Sequence, residues 1–194
     1  MTVRKLDECE IKQAVHLAEW TFEYCIKRRG ADSAICDLFS QYNNYENIIS
    51  LFNQGIITIW GVFEKNSMVG VGAMEAPGKI TMLYVHPNCH RRGYAGRLLT
   101  EMKYYAYEEY KADRISINVI PSWMAGYFMK KRFVPMRRFD ARQDLFIPMS
   151  AETIKLTRYR KKKIPGKILI GIILGFLAVI IASTLLFEFW YMYL

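Results

Sequence analysis

Residues 83–99 read Leu-Tyr-Val-His-Pro-Asn-Cys-His-Arg-Arg-Gly-Tyr-Ala-Gly-Arg-Leu-Leu. A β-rich run ends at Pro87, and an amphipathic helical pattern begins at Gly93. The first N–H groups of a helix have no internal partner and carry partial positive charge. Gly93, Ala95 and Gly96 are small enough to let a ligand approach the backbone. The turn therefore predicts a binding site for an anion such as a pyrophosphate.

Cations flank this turn, and two known phosphate-binding motifs are absent from it. Arg91, Arg92 and Arg97 would add to the attraction for phosphate groups. No Gly-Lys-Ser or Gly-Lys-Thr follows, so the turn is not a P-loop, and the dinucleotide fingerprint G-x-G-x-x-G is absent. The expected site therefore belongs to another class of phosphate-binding turn.

The segment resembles motif A of the GNAT superfamily of N-acetyltransferases, L-x-V-x-P-x-x-[QR]-x-x-G-x-[GA]-x-x-L-L. One position departs, because His90 stands where the family has Gln or Arg. The positions that match with the spacing intact are Leu83, Val85, Pro87, Gly93, Ala95, Leu98 and Leu99. The resemblance implies a mixed α/β fold over residues 1–149, with a mostly antiparallel, twisted sheet flanked by helices.

The resemblance also implies that the chain binds acetyl-CoA and transfers the acetyl group to a primary amine in a ternary complex. Strands four and five would splay apart to form the cleft, and the pantetheine arm would pair with the backbone of residues 83–85. The N–H of Val85 would polarise the thioester carbonyl. The expected coenzyme-binding residues are Leu83, Tyr84, Val85, His90, Arg91, Arg92, Gly93, Tyr94, Ala95, Gly96 and Arg97.

The second family pattern, N-x-x-A-x-x-x-Y-x-K-x-G-F, is incomplete in this chain. When its end is aligned on Phe133, Phe128 falls at the position of the Tyr that acts as the acid in many relatives. Arg132 replaces the Gly of the pattern and Pro121 replaces the Asn. Tyr127 is the candidate acid, although one helical step turns a side chain by about 100°. The alternative is that Tyr127 serves in packing.

The general base is open at this point. Relatives often place a Glu on the fourth or fifth strand, where this chain has Lys79 and Asn118. Glu75 and His86 are the nearest titratable candidates, and the alternative is that both are ordinary residues at strand ends. A His with an unperturbed pKa of about 6.5 can take a proton through water. Direct attack by a deprotonated amine, without a dedicated base, is the third alternative.

A different class of function also stays open. The chain could be a catalytically inactive acyl-CoA-binding scaffold or regulatory module at a membrane. The incomplete second pattern favours this interpretation, whereas the intact motif A opposes it.

Hydrophobic periodicity and turn residues predict the element order β-α-α-β-β-β-α-β-α-β-β. Asp7 and Glu10 resemble a capping box at the start of the first helix. We expect strands at residues 2–6, 56–63, 68–74, 80–86 and 114–120, with two more between 134 and 149, and helices after Asp7, at 33–53, from Gly93 and at 123–131.

Residues 168–187 form an uncharged, apolar run of twenty residues. A helix of this length spans roughly 30 Å, the thickness of the hydrocarbon core of a bilayer. A basic cluster at 158–163 precedes the run and aromatic residues follow it, which predicts a cytoplasmic N-terminal domain. The expected organisation is a domain at 1–149, a basic linker at 150–167, a transmembrane helix at 168–187 in the cell membrane, and a short tail at 188–194. The alternative is a buried core helix.

Small residues recur along one face of the predicted transmembrane helix. Gly171, Gly175, Ala178 and Ala182 have the spacing that lets two helices approach closely and form a homodimer. The alternative is that Gly and Ala are simply common in membrane helices. The expected partners are therefore the lipid bilayer, an amine acceptor near the membrane and a second copy of the chain.

Charge and cysteine placement argue against two other classes of function. The formal net charge is +9, but seven cations lie in the short stretch 155–167. This distribution does not predict a nucleic-acid surface on the folded domain. Cys9, Cys25, Cys36 and Cys89 form no C-x-x-C pair, and the three His residues are scattered, so we expect no metal site.

Overall fold

The structure is a computed structural model that describes residues 1–140 and 143–154. Short 3-10 turns at Lys27–Arg29, Pro87–Cys89 and Ser122–Met124 connect some of the longer elements. In chain order these are β1 (Thr2–Lys5), α1 (Glu8–Cys25), α2 (Ser33–Tyr42), α3 (Tyr45–Asn53), β2 (Ile57–Glu64), β3 (Ser67–Glu75), β4 (Lys79–Val85), α4 (Tyr94–Tyr110), β5 (Arg114–Val119), α5 (Ala125–Lys130), β6 (Val134–Pro135) and β7 (Ile147–Glu152).

The strands of the described part form a seven-stranded sheet in the order β1-β2-β3-β4-β5-β7-β6. Within this sheet β4 and β5 run parallel, and the other neighbouring strands run antiparallel. A parallel pair needs a long crossover connection, which α4 supplies here. The predicted mixed α/β fold with a mostly antiparallel sheet is confirmed.

The two faces of the sheet are covered by different helices because side chains alternate along a strand. Val71 and Ala73 of β3 pack with the buried residues of α1 and α3. Gly72, between them, faces α4, where an added Cβ would lie 3.2 Å from Met102 Cε. The helices α1 and α3 therefore cover one face and α4 covers the other.

Two of the sequence-based boundaries differ from the structure. The helix predicted at 33–53 is two helices, because Asn44 caps a new start by accepting a hydrogen bond from the N–H of Asn47 at 2.8 Å. The second difference concerns the end of the domain, which was predicted at 149. The strand β7 continues to Glu152, because Ser150 still pairs with Ser116 of β5.

Within residues 1–140 and 143–154, none of the helices is both long and apolar enough to cross a membrane. The predicted transmembrane helix at 168–187, its small-residue face and the tail at 188–194 lie outside the described residues. The anchor stays a prediction from the sequence.

The start of α1 is held by a charged contact that ties it to β1. Arg4 donates from both terminal nitrogens to the Glu10 carboxylate, at 2.6 and 2.7 Å, and the Asp7 N–H donates to Glu10 Oε2 at 3.1 Å. The hydrogen bonds from Arg4 contribute most to lowering the pKa of Glu10 from 4.5 to about 2. Deprotonated Glu10 therefore stabilises the junction between the sheet and α1.

This contact predicts a pH dependence of stability. Because the folded pKa of Glu10 is depressed, its stabilisation is complete above about pH 4.5 and is lost as the pH falls towards 2. In urea unfolding, Glu10→Gln should lower the free energy of unfolding at pH 7 by about 1 kcal/mol, and the difference should shrink at pH 3. Glu8→Gln, which leaves the Arg4 contact intact, is the control. A deficit for Glu10→Gln that is the same at both pH values would contradict this account.

Candidate active site

The strands β4 and β5 separate soon after they begin, as predicted. They pair only at Lys79 with Ser116 and at Ile80 with Ile117. Thr81 is an extra residue against β3, because Met82 pairs with Ala73 while Ile80 pairs with Met74. A bulge of this kind bends the strand that carries it. Beyond Thr81, β4 keeps its pairing with β3 alone, and a gap opens towards β5.

The register of β4 shows which backbone groups face this gap. The N–H of His86 donates to the carbonyl of Val69 in β3 at 2.9 Å, so the backbone groups of His86 point towards β3. In an antiparallel pair such positions alternate, so Tyr84 also bonds towards β3. The N–H and C=O groups of Leu83 and Val85 consequently point into the gap.

The gap leads to the N-terminus of α4, which has no side-chain cap. Gly93 precedes the helix in a left-handed conformation, with φ of +86°, which glycine adopts without steric cost. The first helical bond runs from the N–H of Arg97 to the carbonyl of Gly93, and the first turn contains no acidic residue. The N–H groups of residues 94–96 therefore have no intrahelical acceptor and suit an anion.

Lys131 supplies a cation that the sequence analysis did not single out. It follows α5, and its Nζ would lie 3.1 Å from a Cβ placed on Gly96, in the first turn of α4. The absence of a side chain at residue 96 makes room for this ammonium group. The basic run at 130–132 was the only signal in the sequence, and it does not show which cation reaches the turn.

A cleft of about 1230 Å³ joins these features. One part is formed by the gap, the loop before α4 and the helix α5, and another by α1, α2 and α3. Of the eleven predicted coenzyme residues, Arg92 and Arg97 do not line it, and Arg92 instead pairs with Glu64 at 3.4 Å. The nine that line it are Leu83, Tyr84, Val85, His90, Arg91, Gly93, Tyr94, Ala95 and Gly96.

His90, which departs from the family motif, ties the loop to the end of β4. Its Nε2 lies 2.7 Å from the carbonyl oxygen of Val85. A carbonyl can only accept a hydrogen bond, so Nε2 carries the proton and donates. Gln and Arg are donors as well, so His90 retains a side-chain donor at this position of the motif. The contact occupies the Val85 carbonyl and leaves the Val85 N–H as a donor into the gap.

Tyr127 lines the cleft beside the buried Phe128, whose ring it meets edge-on at 5.2 Å between centroids. Burial raises the pKa of Tyr127, so its phenol stays protonated at neutral pH. Although Phe128 occupies the family's Tyr position, the protein thus has a phenolic proton donor one residue earlier in the same cleft.

The two candidate bases are placed differently. Glu75 lines the cleft and accepts a hydrogen bond from Lys79 Nζ at 3.0 Å. His86 is not among the residues that line the cleft. Its ring stacks on Trp20, with centroids 4.4 Å apart, and its Nδ1 accepts a hydrogen bond from the Asn88 N–H at 3.3 Å. The structure therefore brings Glu75 and Tyr127 to one cleft and assigns His86 to the turn after β4.

Comparisons with known proteins agree with this architecture. Among solved structures, a GCN5-related N-acetyltransferase from Rhodopseudomonas palustris aligns with a TM-score of 0.65 at 15% identity, over 78% of this chain and 94% of its own. The PaiA N-acetyltransferase from Thermoplasma acidophilum, in complex with coenzyme A, aligns with a TM-score of 0.58 at 15% identity. The alignment covers 78% of this chain and 98% of the PaiA chain. A spermidine N-acetyltransferase from Vibrio cholerae aligns with a TM-score of 0.53 at 12% identity, and the alignment covers 83% of this chain and 100% of the other.

At these identities the likeness concerns the fold. None of the curated protein sequences matches this chain. The family comparison is more decisive, because the model of the acetyltransferase (GNAT) domain matches residues 28–143, which is more than half of the chain. This range contains the bulged strand β4, the loop before α4 and the helix α5. The chain therefore belongs to the GNAT family of acetyltransferases.

Proposed function

We propose that this protein binds acetyl-CoA in the cleft between β4 and β5 and transfers its acetyl group to a primary amine. The observation that carries the proposal is one continuous cleft that combines an open strand edge with an uncapped helix N-terminus. The similar structure from Thermoplasma acidophilum is a complex with coenzyme A, which supports this assignment.

The two ends of the cleft suit different parts of the coenzyme. The N–H groups of residues 94–96, with Arg91 and Lys131 beside them, suit the pyrophosphate. The gap-facing N–H and C=O groups of Leu83 suit the amide-containing pantetheine arm, which adds to the sheet as a strand does, and the N–H of Val85 is left for the thioester. This arrangement brings the thioester to the splayed region of the two strands.

The chemistry follows from this placement. The neutral amine attacks the thioester carbonyl, and the Val85 N–H stabilises the negative charge that develops on the carbonyl oxygen. As the C–S bond breaks, the phenol of Tyr127 protonates the thiolate. The new C–N bond leaves a cationic nitrogen, which releases its proton to Glu75 or to water. Glu75 is the single carboxylate that lines the cleft in the described part of the chain.

The release of free thiol from acetyl-CoA in the presence of primary amines tests this function. Tyr127→Phe should lower kcat about 100-fold or more and leave the Kd of acetyl-CoA unchanged, because it removes only the proton donor. Tyr45→Phe is the matched control, since Tyr45 does not line the cleft. Tight coenzyme binding without thiol release for any amine would instead favour the non-catalytic scaffold.

Lys131 provides a separate test of the coenzyme site. Lys131→Ala should raise the Kd of acetyl-CoA roughly fivefold at low salt, equivalent to ~1 kcal/mol, because one exposed cation is lost beside the phosphates. Salt screens exposed charges, so the effect should shrink at 0.5 M NaCl. Lys130→Ala is the matched control, because Lys130 does not line the cleft. Equal effects of the two substitutions, measured by calorimetry, would contradict the placement of the phosphates.

We also propose that residues 168–187 anchor the protein in the cell membrane, with the catalytic domain on the cytoplasmic side. The uncharged run and the basic cluster before it support this proposal. The full chain should remain in the membrane pellet after an alkaline carbonate wash, whereas a chain ending at Ile154 should appear in the supernatant. Equal distribution of the two chains would contradict the anchor.

A further inference from the structure

The part of the cleft formed by α1, α2 and α3 is mostly apolar, with Arg29, Asn43 and Asn47 among its polar lining residues. The helix α2 buries only Ile35 completely and α3 only Ile48, although both helices have a strongly apolar face. Phe39 packs partly against the core around Ile35, and with Leu38 and Tyr42 it also borders the cleft. The side chains that form this apolar wall are Phe22, Ile26, Ile35, Leu38, Phe39 and Ile48.

Several apolar side chains at the edge of this wall are exposed to solvent. Tyr42 is 57% exposed and Ile56 is 38% exposed, and both line the cleft. The rings of Phe22 and Phe39, which also line the cleft, stack with centroids 3.9 Å apart. Exposed apolar surface inside a cleft is stabilised when an apolar ligand covers it.

The charges of the cleft do not suit a polycation. Arg29 and Lys79 both line it. Glu75 is the single lining carboxylate in the described part of the chain, and its ion pair with Lys79 offsets its charge. A polyamine carries several ammonium groups and needs several carboxylates to replace their hydration. Spermidine N-acetyltransferases are among the similar structures, but this cleft lacks the charges that such a substrate requires.

One polar atom in the same wall lacks a partner. Thr21 is 5% exposed and lines the cleft, and its Oγ1 is buried without a hydrogen bond within the described residues. Such an atom costs free energy unless a ligand or water reaches it. This oxygen is enclosed by the protein, so it adds no polar group to the surface that a ligand would cover.

We propose that the acceptor is a primary amine carried on an apolar alkyl or aromatic body, and not a polyamine. This proposal rests on the acetyl transfer proposed above. The amine nitrogen meets the thioester at the gap, while its apolar body extends along the wall between α1 and α2. A C–N bond forms and the C–S bond breaks, the acylated nitrogen releases a proton to Glu75 or to water, and the thiolate takes a proton from Tyr127. The products are an N-alkylacetamide and free coenzyme A.

A chain-length series of n-alkylamines from butylamine to octylamine tests this inference, with spermidine as the comparison. Each methylene group that becomes buried should raise kcat/KM about threefold. Octylamine should therefore exceed butylamine by more than tenfold, and spermidine should fall below octylamine by at least a hundredfold. A preference for spermidine, or no dependence on chain length, overturns the inference.

Substitutions in the apolar wall test whether the dependence of kcat/KM on chain length arises there. Leu38→Asp should lower kcat/KM for octylamine at least tenfold and change that for butylamine less than twofold. Tyr42→Ser should act in the same direction, and because the Tyr42 side chain is exposed, this substitution leaves the core intact. Ser40→Asp is the matched control, since it adds the same charge to α2 outside the cleft. A loss for octylamine that is equal in Leu38→Asp and Ser40→Asp overturns the inference.

A binding measurement separates this inference from the proposed acetyl transfer. Calorimetry with coenzyme A present measures amine binding without turnover. If octylamine binds tightly and spermidine does not, the apolar acceptor site stands even where no acetyl group is transferred, and the transferase proposal fails alone. If thiol is released but spermidine binds and reacts better than octylamine, the transferase proposal stands and the apolar acceptor site fails.

Discussion

The separation of β4 from β5 is the constraint on which the rest of the site depends. The parallel pairing stops at Ile80 because Thr81 adds a residue and bends β4 away. The backbone of Leu83 and Val85 then keeps hydrogen-bonding groups that no neighbouring strand satisfies. His90 occupies the Val85 carbonyl, and the other backbone groups of this edge need partners, which an extended, amide-rich ligand supplies.

The same separation explains why the site has two chemically different ends. The chain passes from β4 through the loop at 86–93 into α4, so the helix N-terminus lies beyond the carboxyl end of β4. Ligands of α/β proteins favour such positions. The helix N-terminus therefore suits an anion, and the open strand edge extends from it into the sheet. On the opposite face, Leu38 and Phe39 of α2 border the cleft, which gives the proposed acceptor side its apolar character.

Local patterns in the sequence predicted much of this arrangement, whereas tertiary contacts did not follow from them. The motif around Gly93 spans the end of one strand and one turn, so its spacing alone predicted that a helix begins at this glycine. Arg92 and Lys131 show what the sequence does not predict. Packing turns Arg92 towards Glu64 and brings Lys131 to Gly96. The sequence also does not show that the ring of His86, a candidate base, stacks on Trp20 of α1 and does not line the cleft. The break between α2 and α3 was missed because both helices share one apolar periodicity.

Amide hydrogen exchange of β4 tests the central claim most directly. Without ligand, the Tyr84 amide should exchange slowly because it bonds to β3, whereas those of Leu83 and Val85, which face the gap, should exchange faster. Acetyl-CoA should slow exchange at Leu83 and Val85 and at residues 94–96 together. Protection of residues 94–96 without any change at Leu83 and Val85 would contradict the account, because the phosphates would then bind without the coenzyme entering the gap.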